Sequence, residues 1–187
     1  TLPPASSTWR MADGHSPCLN GQNLGLTSAI FSLVAAPPLV MTIHLAQTTA
    51  AIAQCFPVMV QLRPHLTESE FIEQVLRQQT AGYHLAYLET PTPHPQIVAV
   101  AGFRITENLA WGQFLYVDDL VTNGTARSQG YGHQLLTWLV AYAQEYHCTQ
   151  IHLDSGVMRH QAHKFYLNQG LIITGYHFAS STPPPQP

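Results

Sequence analysis

The sequence predicts one α/β (α+β) domain, built on a mixed, mostly antiparallel sheet with a central parallel β-α-β unit and flanking helices. Two observations lead to this prediction. Three apolar segments follow one another after residue 82, and the turns between them are short enough for antiparallel pairing. They are followed by an amphipathic helix between two further apolar segments, which is the pattern of a β-α-β crossover. The length of 187 residues suits one such domain.

Composition argues against several classes of function. Charged residues make up 9% of the chain, against about 25% in an average protein. Lys164 is the only lysine, and the formal net charge is −3, so no basic surface for nucleic acid or an anionic membrane is expected. The apolar stretch 24–45 is interrupted by Pro37 and Pro38, which argues against a membrane span.

Cysteine and histidine usage gives no sign of a metal site. The cysteines are odd in number and widely spaced, which indicates a reducing compartment such as the cytoplasm: Cys18, Cys55 and Cys148. His160 and His163 could share a helical face near His152, but no further ligand occurs at zinc spacing. We therefore predict that the protein binds no metal.

The ends of the chain differ in composition from its middle. Residues 1–38 lack periodicity and are predicted to be a loosely ordered leader, so that the functional domain would span residues 39–179 and begin near Met41. The proline-rich segment 180–187 is predicted to be a disordered tail.

The first half of the domain reads as one strand and two helices. A strand over Val40–Leu45 precedes a helix that starts at Thr48 and contains Pro57. Thr67 and Glu70 have the spacing of a capping box, which predicts the start of a second helix that ends at Gly82.

The second half supplies the remaining strands and helices. Antiparallel strands are predicted at 83–89, 97–105 and 112–121, with a turn at Glu107-Asn108 before the third. The crossover helix then covers 130–147, followed by a strand over 150–154. A helix over 159–169 and a last strand, Leu171–Phe178, complete the prediction.

The stretch from Leu115 to His133 is where chemistry is expected. It reads as a strand carrying Asp118 and Asp119, then a polar turn and a glycine-containing loop that opens the crossover helix. Gly130 and Gly132 let backbone N–H groups approach a ligand closely, and these groups lie at the positive end of a helix dipole. Such a loop favours binding of a pyrophosphate.

Residues Arg127 to Gly132 match the pattern Arg/Gln-x-x-Gly-x-Gly/Ala. In this motif, in its strand–loop–helix context and in the closing segment Lys164–Gly170, the chain resembles the GNAT superfamily of acetyl-CoA-dependent N-acetyltransferases over residues 41–179. The resemblance implies acetyl-CoA as co-substrate. It places the following residues against the cofactor: Leu120, Val121 and Thr122 along the pantetheine arm, Arg127, Ser128, Gln129, Gly130, Tyr131, Gly132 and His133 around the pyrophosphate, and Arg159 where many members have an asparagine.

The resemblance also suggests catalytic roles. Asp118 or Asp119 would take a proton from the acceptor amine or bind it, with Asp118 the first choice. In a regular strand the two would face opposite sides of the sheet unless a bulge re-aims them, and either could instead pair with an arginine. The backbone N–H of Leu120 would stabilise the oxyanion, and Tyr166 would protonate the departing thiolate.

The predicted function is transfer of an acetyl group to a primary amine, either a small cationic molecule or a protein amine. The alternative is an acyl-CoA-binding module or sensor without transfer activity. Edge strands and the apolar N-terminal helix would allow a homodimer.

Overall fold

The computed structural model describes residues 41–91 and 94–182 of the chain. Within these ranges the chain forms an α/β domain with a five-stranded sheet and four α-helices, which confirms the predicted fold class. The elements are β1 Thr42–Leu45, α1 Thr49–Met59, α2 Glu68–Gln79, β2 Tyr83–Glu89, β3 Ile97–Asn108, β4 Gly112–Thr122, α3 Tyr131–Glu145, β5 Gln150–Leu153 and α4 His160–Asn168, with a short 3-10 turn at Gly124–Ala126.

The strands follow their sequence order across the sheet, β1-β2-β3-β4-β5. The first four pair antiparallel, and β5 pairs parallel with β4 through the crossover helix α3. β5 is the last strand of the described sheet, so the parallel pair lies at one side of it and not at its centre. The antiparallel-then-parallel pattern predicted from the sequence is otherwise the one observed.

Local capping explains where the first two helices begin. The Thr48 side chain accepts the N–H of Ala51 at the start of α1. At the start of α2, Thr67 accepts the N–H of Glu70, and the Glu70 carboxylate accepts the N–H of Thr67 at 2.9 Å. These hydrogen bonds lower the pKa of Glu70, and the predicted capping box is confirmed.

Two apolar clusters bury the two faces of the sheet. On one face, α1 and α2 pack against the sheet, and the cluster includes Ile52, Phe71, Leu85, Val100 and Val121. On the other face α3 packs, and the cluster includes Phe103, Leu115, Leu135, Leu139 and Tyr142. β3 and β4 contribute to both clusters, as expected of strands covered by helices on each side.

One predicted strand is absent. Residues 171–178 form no strand, and Ile172, Ile173, Tyr176 and Phe178 are each at least three-quarters exposed. A strand needs backbone hydrogen bonds to a neighbouring strand as well as suitable residue types. In the described structure residues 171–178 do not join the ladder of β5, so the prediction of a last strand is wrong.

Smaller differences concern element ends and unassigned segments. β3 continues through Asn108, so the turn lies at residues 109–111, where the Asn108 side chain accepts the N–H groups of Ala110 and Trp111. The predicted turn at Glu107-Asn108 is therefore wrong by a few residues. The leader 1–38 and most of the tail lie outside the described residues. No helix in the described part of the chain is long and apolar enough to cross a membrane.

Candidate active site

A bulge in β4 determines where the two adjacent aspartates point. Gly102 of β3 pairs with Asp119 and the next residue, Phe103, pairs with Val117, which leaves Asp118 as an extra residue in β4. A bulge of this kind turns side chains away from strict alternation. Asp118 and Asp119 consequently line the same cleft, of about 240 Å³, between the sheet and α2. This is the exception to strand alternation that the sequence analysis allowed for.

Both aspartates of this cleft pair with arginines. Arg63 donates from Nε to Asp119 Oδ1 at 2.7 Å and from Nη2 to the Asp118 carbonyl oxygen at 3.2 Å. Arg104 donates from Nε to Asp118 Oδ2 at 2.9 Å. We call this cleft the arginine cleft; its lining includes Arg63, His65, Phe71, Gln78, Tyr83, Asp118 and Asp119.

Burial shifts the pKa values of two side chains in the arginine cleft, Asp118 and Tyr83. Burial raises the pKa of Asp118, and the hydrogen bond and charge of Arg104 offset part of that rise. The buried Tyr83 hydroxyl donates to Asp119 Oδ2 at 3.4 Å, and burial together with the two aspartates raises the pKa of that phenol. Both carboxylate oxygens of Asp119 are therefore engaged by other side chains of the protein.

A second cleft, of about 330 Å³, lies on the β5 side of β4. We call it the tyrosine cleft; its lining includes Leu62, Arg63, Tyr116, Asp118, Leu120, Asp154, Arg159 and Tyr166. Burial raises the pKa of Tyr166, while the positive charge of Arg159 lowers it by a smaller amount. The Tyr166 phenol thus stays protonated at neutral pH and keeps a proton to donate.

The backbone of β4 opens towards this cleft. Pairing between β4 and β5 ends at Val117 and Leu153, so the two strands part beyond that point. The N–H of Asn123 donates to the Val98 carbonyl of β3 at 2.8 Å. Because amide directions alternate along a strand, the N–H groups of Leu120 and Thr122 point away from β3, towards the gap. By the same alternation, the backbone polar groups of Val121 point towards β3.

The glycine loop sits at the start of α3. Gly130 is the N-cap residue with φ +83°, and no side chain caps the helix. Since the first N–H groups of a helix have no partner within it, those at the start of α3 are available to an external acceptor. Gly132 follows in the first turn, where an added Cβ would lie 3.3 Å from Thr122 Oγ1 and 3.5 Å from the Phe165 ring. The absence of a Cβ at Gly132 therefore allows Thr122 and the Phe165 ring to pack closely against the first turn of α3.

The other predicted loop residues surround this turn. Ser128 has φ +62°, and Arg127, Ser128, Gln129 and His133 are exposed. The Tyr131 hydroxyl donates to Gln129 Oε1 at 3.1 Å. His133 Nδ1 contacts Gln169 Oε1, which links the start of α3 to the end of α4.

Sequence reasoning missed several polar residues of the two clefts. Arg63 and Arg104 lie far along the chain from the aspartates, and no spacing rule connects them. Tyr116 and Asp154, whose side chains are hydrogen-bonded to each other in the lining of the tyrosine cleft, were also not singled out, although Asp154 ends a predicted strand. His177, the third partner in that contact, belongs to the segment predicted to be a strand. Among the described residues, no group of three or more potential metal ligands comes together.

Comparison with known proteins identifies the family. The sequence profile of the acetyltransferase (GNAT) family matches residues 45–171. This chain belongs to the GNAT family of acetyltransferases. The protein is accordingly an acyltransferase, and the resemblance inferred from the glycine loop is confirmed.

Individual relatives agree with this assignment. A Bacillus subtilis strain 168 protein named "uncharacterized N-acetyltransferase YhdJ" is 31% identical over 140 residues, which are 73% of this chain and 96% of that protein. The aminoglycoside N-acetyltransferase AAC(6')-Iy, solved in complex with CoA, superposes with a TM-score of 0.67 at 13% identity, covering 80% and 99% of the two chains. An acetyltransferase from Trypanosoma brucei gives a TM-score of 0.62 at 18% identity, covering 76% and 100%.

Proposed function

We propose that this GNAT acetyltransferase moves the acetyl group of acetyl-CoA to a primary amine by direct attack, and that the tyrosine cleft holds the reacting groups. The observation that carries the proposal is the parting of β4 and β5 beside the uncapped start of α3. The gap exposes strand amides, and the helix start exposes a cluster of N–H donors. Together they suit a ligand with a polar arm and a pyrophosphate.

The residues present fit acetyl-CoA by their chemistry. The backbone N–H groups from Ser128 to His133 would hold the pyrophosphate, with Arg127 exposed beside them. Leu120 and Thr122 would offer backbone groups to the pantetheine arm, whereas the backbone of Val121 is directed at β3 and its side chain is buried in the cluster under α1 and α2. Arg159, which lines the tyrosine cleft, would place a positive charge near the cofactor.

Two groups of the protein, the Leu120 N–H and the Tyr166 hydroxyl, would assist the acetyl transfer. Acetyl-CoA supplies the acetyl group as a thioester. The Leu120 N–H, which points into the gap, would donate to the thioester oxygen as negative charge develops on it. Tyr166 would donate its hydroxyl proton to the departing sulfur. Its raised pKa, caused by burial, supports the role of acid over that of base at neutral pH.

The two aspartates of β4 require a more limited proposal. The sequence predicts that one of them is a base or an acceptor-binding group, with pairing to an arginine as the alternative. The ion pairs with Arg104 and Arg63 favour that alternative. We propose that Asp118 and Asp119 fix the two arginines, and through them the shape of the cleft, while still bordering the acceptor site.

The acceptor class follows from the charge of the protein and from the kind of reaction. A net charge of −3 favours a cationic amine, whether a small molecule or a protein amine. The solved relative AAC(6')-Iy is named for acetylation of aminoglycosides, so an aminoglycoside belongs in the acceptor panel. The family assignment favours an enzyme over an acyl-CoA-binding module without transfer activity.

Thiol release tests the proposal directly. The full chain would be incubated with acetyl-CoA and, separately, with spermidine, glucosamine, kanamycin, lysine and a lysine-containing peptide, while free thiol is measured. We expect at least one amine to raise thiol release well above the rate without an acceptor. Tight binding of acetyl-CoA without acceptor-dependent release from any amine would instead support the binding module.

Two further proposals concern location and assembly. Cys55 and Cys148 are free thiols in the described structure, which is consistent with a reducing compartment such as the cytoplasm. A homodimer would use β1 and β5, the edge strands of the sheet in the described residues, and sedimentation analysis of the full chain tests for it.

A further inference from the structure

Asp154 occupies a position in the tyrosine cleft that the proposed mechanism does not use. It is the first residue after β5, at the point where β5 parts from β4. It lines the same cleft as Leu120 and Tyr166, and its side chain is 51% exposed. A carboxylate at this point borders the space into which the Leu120 N–H points.

The contacts of Asp154 leave one of its oxygens open. The Tyr116 hydroxyl donates to Oδ2 at 2.6 Å, and His177 Nδ1 lies 2.8 Å from the same oxygen. The described residues provide no hydrogen-bond partner for Oδ1. The carboxylate is thus fixed in orientation by two side chains, while its second oxygen remains accessible to a ligand.

The counter-charge of Asp154 also differs from those of the other two acids. Asp118 and Asp119 pair with arginines, which keep their charge at any physiological pH. Across the described part of the chain, the only basic side chain within ion-pair distance of Asp154 is His177, which carries charge only when protonated. Arg63 also lines the cleft, but its guanidinium is already bound to Asp119.

We propose that Asp154 binds the ammonium group of the acceptor through Oδ1 and is the residue that selects a cationic acceptor. This inference rests on the proposed acetyl transfer. Tyr116 is a positioning residue that holds Oδ2, and burial and the neighbouring Asp154 raise the pKa of its phenol, so it remains a hydrogen-bond donor. His177 brings the segment after α4 to the wall of the acceptor site.

The geometry accounts for why an amine would react there. An ammonium group held at the end of β5 lies in the cleft that Leu120 and Tyr166 also line. Once that group has lost its proton to solvent, its nitrogen would face the thioester carbon from the β5 side. Asp154 therefore acts by binding and placing the acceptor, and it needs to form no covalent bond.

Substitution of Asp154 by asparagine tests the inference in the full chain. Asp154→Asn keeps the shape of the side chain and removes its charge. With the panel amine that the wild type acetylates fastest, we expect kcat/KM to fall about 10-fold or more, mainly through KM, since a hydrogen bond to a charged group is being weakened. Titration calorimetry of the same amine into CoA-loaded protein should show a matching loss of affinity, while the affinity for CoA itself stays within about twofold.

Control variants separate this role from a structural one. Glu107→Gln removes an exposed carboxylate at the end of β3 and should change neither the kcat/KM nor the affinity for the amine. Tyr116→Phe should raise KM by a smaller factor than Asp154→Asn, because the open oxygen is retained.

The failures of the two proposals are distinguishable. Wild-type protein that binds acetyl-CoA but acetylates no amine would refute the proposed function, and this inference with it. Wild-type turnover of a cationic amine, with KM unchanged in a folded Asp154→Asn variant, would leave the proposed function standing and overturn the inference.

Discussion

The two clefts on either side of β4 contain similar side chains but differ in how their charges are matched. In the arginine cleft, Asp118 and Asp119 each pair with a permanent cation. In the tyrosine cleft, Asp154 is held by a phenol and a histidine, and one of its oxygens is open. Carboxylates that are already neutralised suit a structural role, whereas an open one suits a ligand. Proximity to the glycine loop therefore does not by itself identify the acceptor-binding acid.

Replacing the tyrosine of α4 should give the largest effect. Tyr166→Phe removes the proposed proton donor, so kcat should fall by an order of magnitude or more while the affinity for acetyl-CoA stays nearly unchanged. Steady-state kinetics and calorimetric titration of acetyl-CoA would measure the two effects. Tyr176→Phe is the matched control, because Tyr176 is 87% exposed and should tolerate the change. Unchanged turnover in Tyr166→Phe would remove this residue from the mechanism.

A methyl group added in β3 should disrupt the arginine cleft. Gly102 lies under the Tyr83 phenol, and a Cβ at this position would overlap that ring. Gly102→Ala should thus displace a buried side chain and lower the free energy of unfolding by about 1–3 kcal/mol, as measured by urea denaturation. Gly175→Ala, at a position with open space around it, should change this energy by less than about 0.5 kcal/mol. Equal stabilities of the two variants would show that Tyr83 moves without cost.

Removing one arginine should make stability depend on pH. Arg104→Met leaves the Asp118 carboxylate without its cation, so we expect a loss of about 1–2 kcal/mol in unfolding free energy at pH 7. The pKa of Asp118 is already raised by burial and should rise further, so the folded state would bind the proton more readily than the unfolded state. The loss of unfolding free energy is therefore fully present above the pKa that Asp118 has in the folded variant. It shrinks as the pH falls from there towards about 4, the ordinary pKa of an aspartate.

Denaturation curves at pH 7 and pH 4.5 would measure this dependence. Combining Arg104→Met with Asp118→Asn removes the unpaired charge and should recover part of the stability at pH 7. A loss that is independent of pH would attribute the effect of Arg104 to packing against Tyr83, over which its guanidinium lies at 5.7 Å from the ring centroid.

The smallest effect is expected at the helix start beside the tyrosine cleft. Gly130 has φ +83° with open space around its Cβ position, so Gly130→Ala should cost about 1 kcal/mol through backbone strain alone. Thermal denaturation would measure this cost. Saturating acetyl-CoA should offset part of it if the loop binds the pyrophosphate, because a ligand that binds the folded state stabilises it. The absence of any shift with acetyl-CoA would argue against the phosphate role of the loop.

Local sequence signals predicted the parts of the fold that depend on near neighbours. The Thr67–Glu70 capping box and the bounds of β2 were confirmed, because hydrogen bonds over three residues and short alternating patterns are visible in the sequence. The start of α3 after its glycine loop was within one residue of the prediction. The family resemblance rested on this same local stretch.

Features that depend on distant partners were not predictable in the same way. The bulge at Asp118 exists because of the register between β3 and β4, which no local pattern in β4 encodes. The arginine partners of Asp119 and Asp118 come from positions 56 and 14 residues away, respectively. Likewise, the segment 171–178 has the residue types of a strand, but it does not pair with the edge strand β5, and no local pattern in the segment decides whether such pairing forms.

The bulge at Asp118 divides one strand into two halves with different duties. Before it, β4 is bound on both sides, by β3 and by β5, and belongs to the structural frame of the sheet. After it, β4 is bound on one side only, and its other row of amides is left unused. One continuous strand thus supplies both a fully paired segment and, directly after the extra residue, a segment whose outward amides have no partner strand in the described sheet. In the proposed function, this second segment would contact the cofactor, and no loop separates it from the paired part of the sheet.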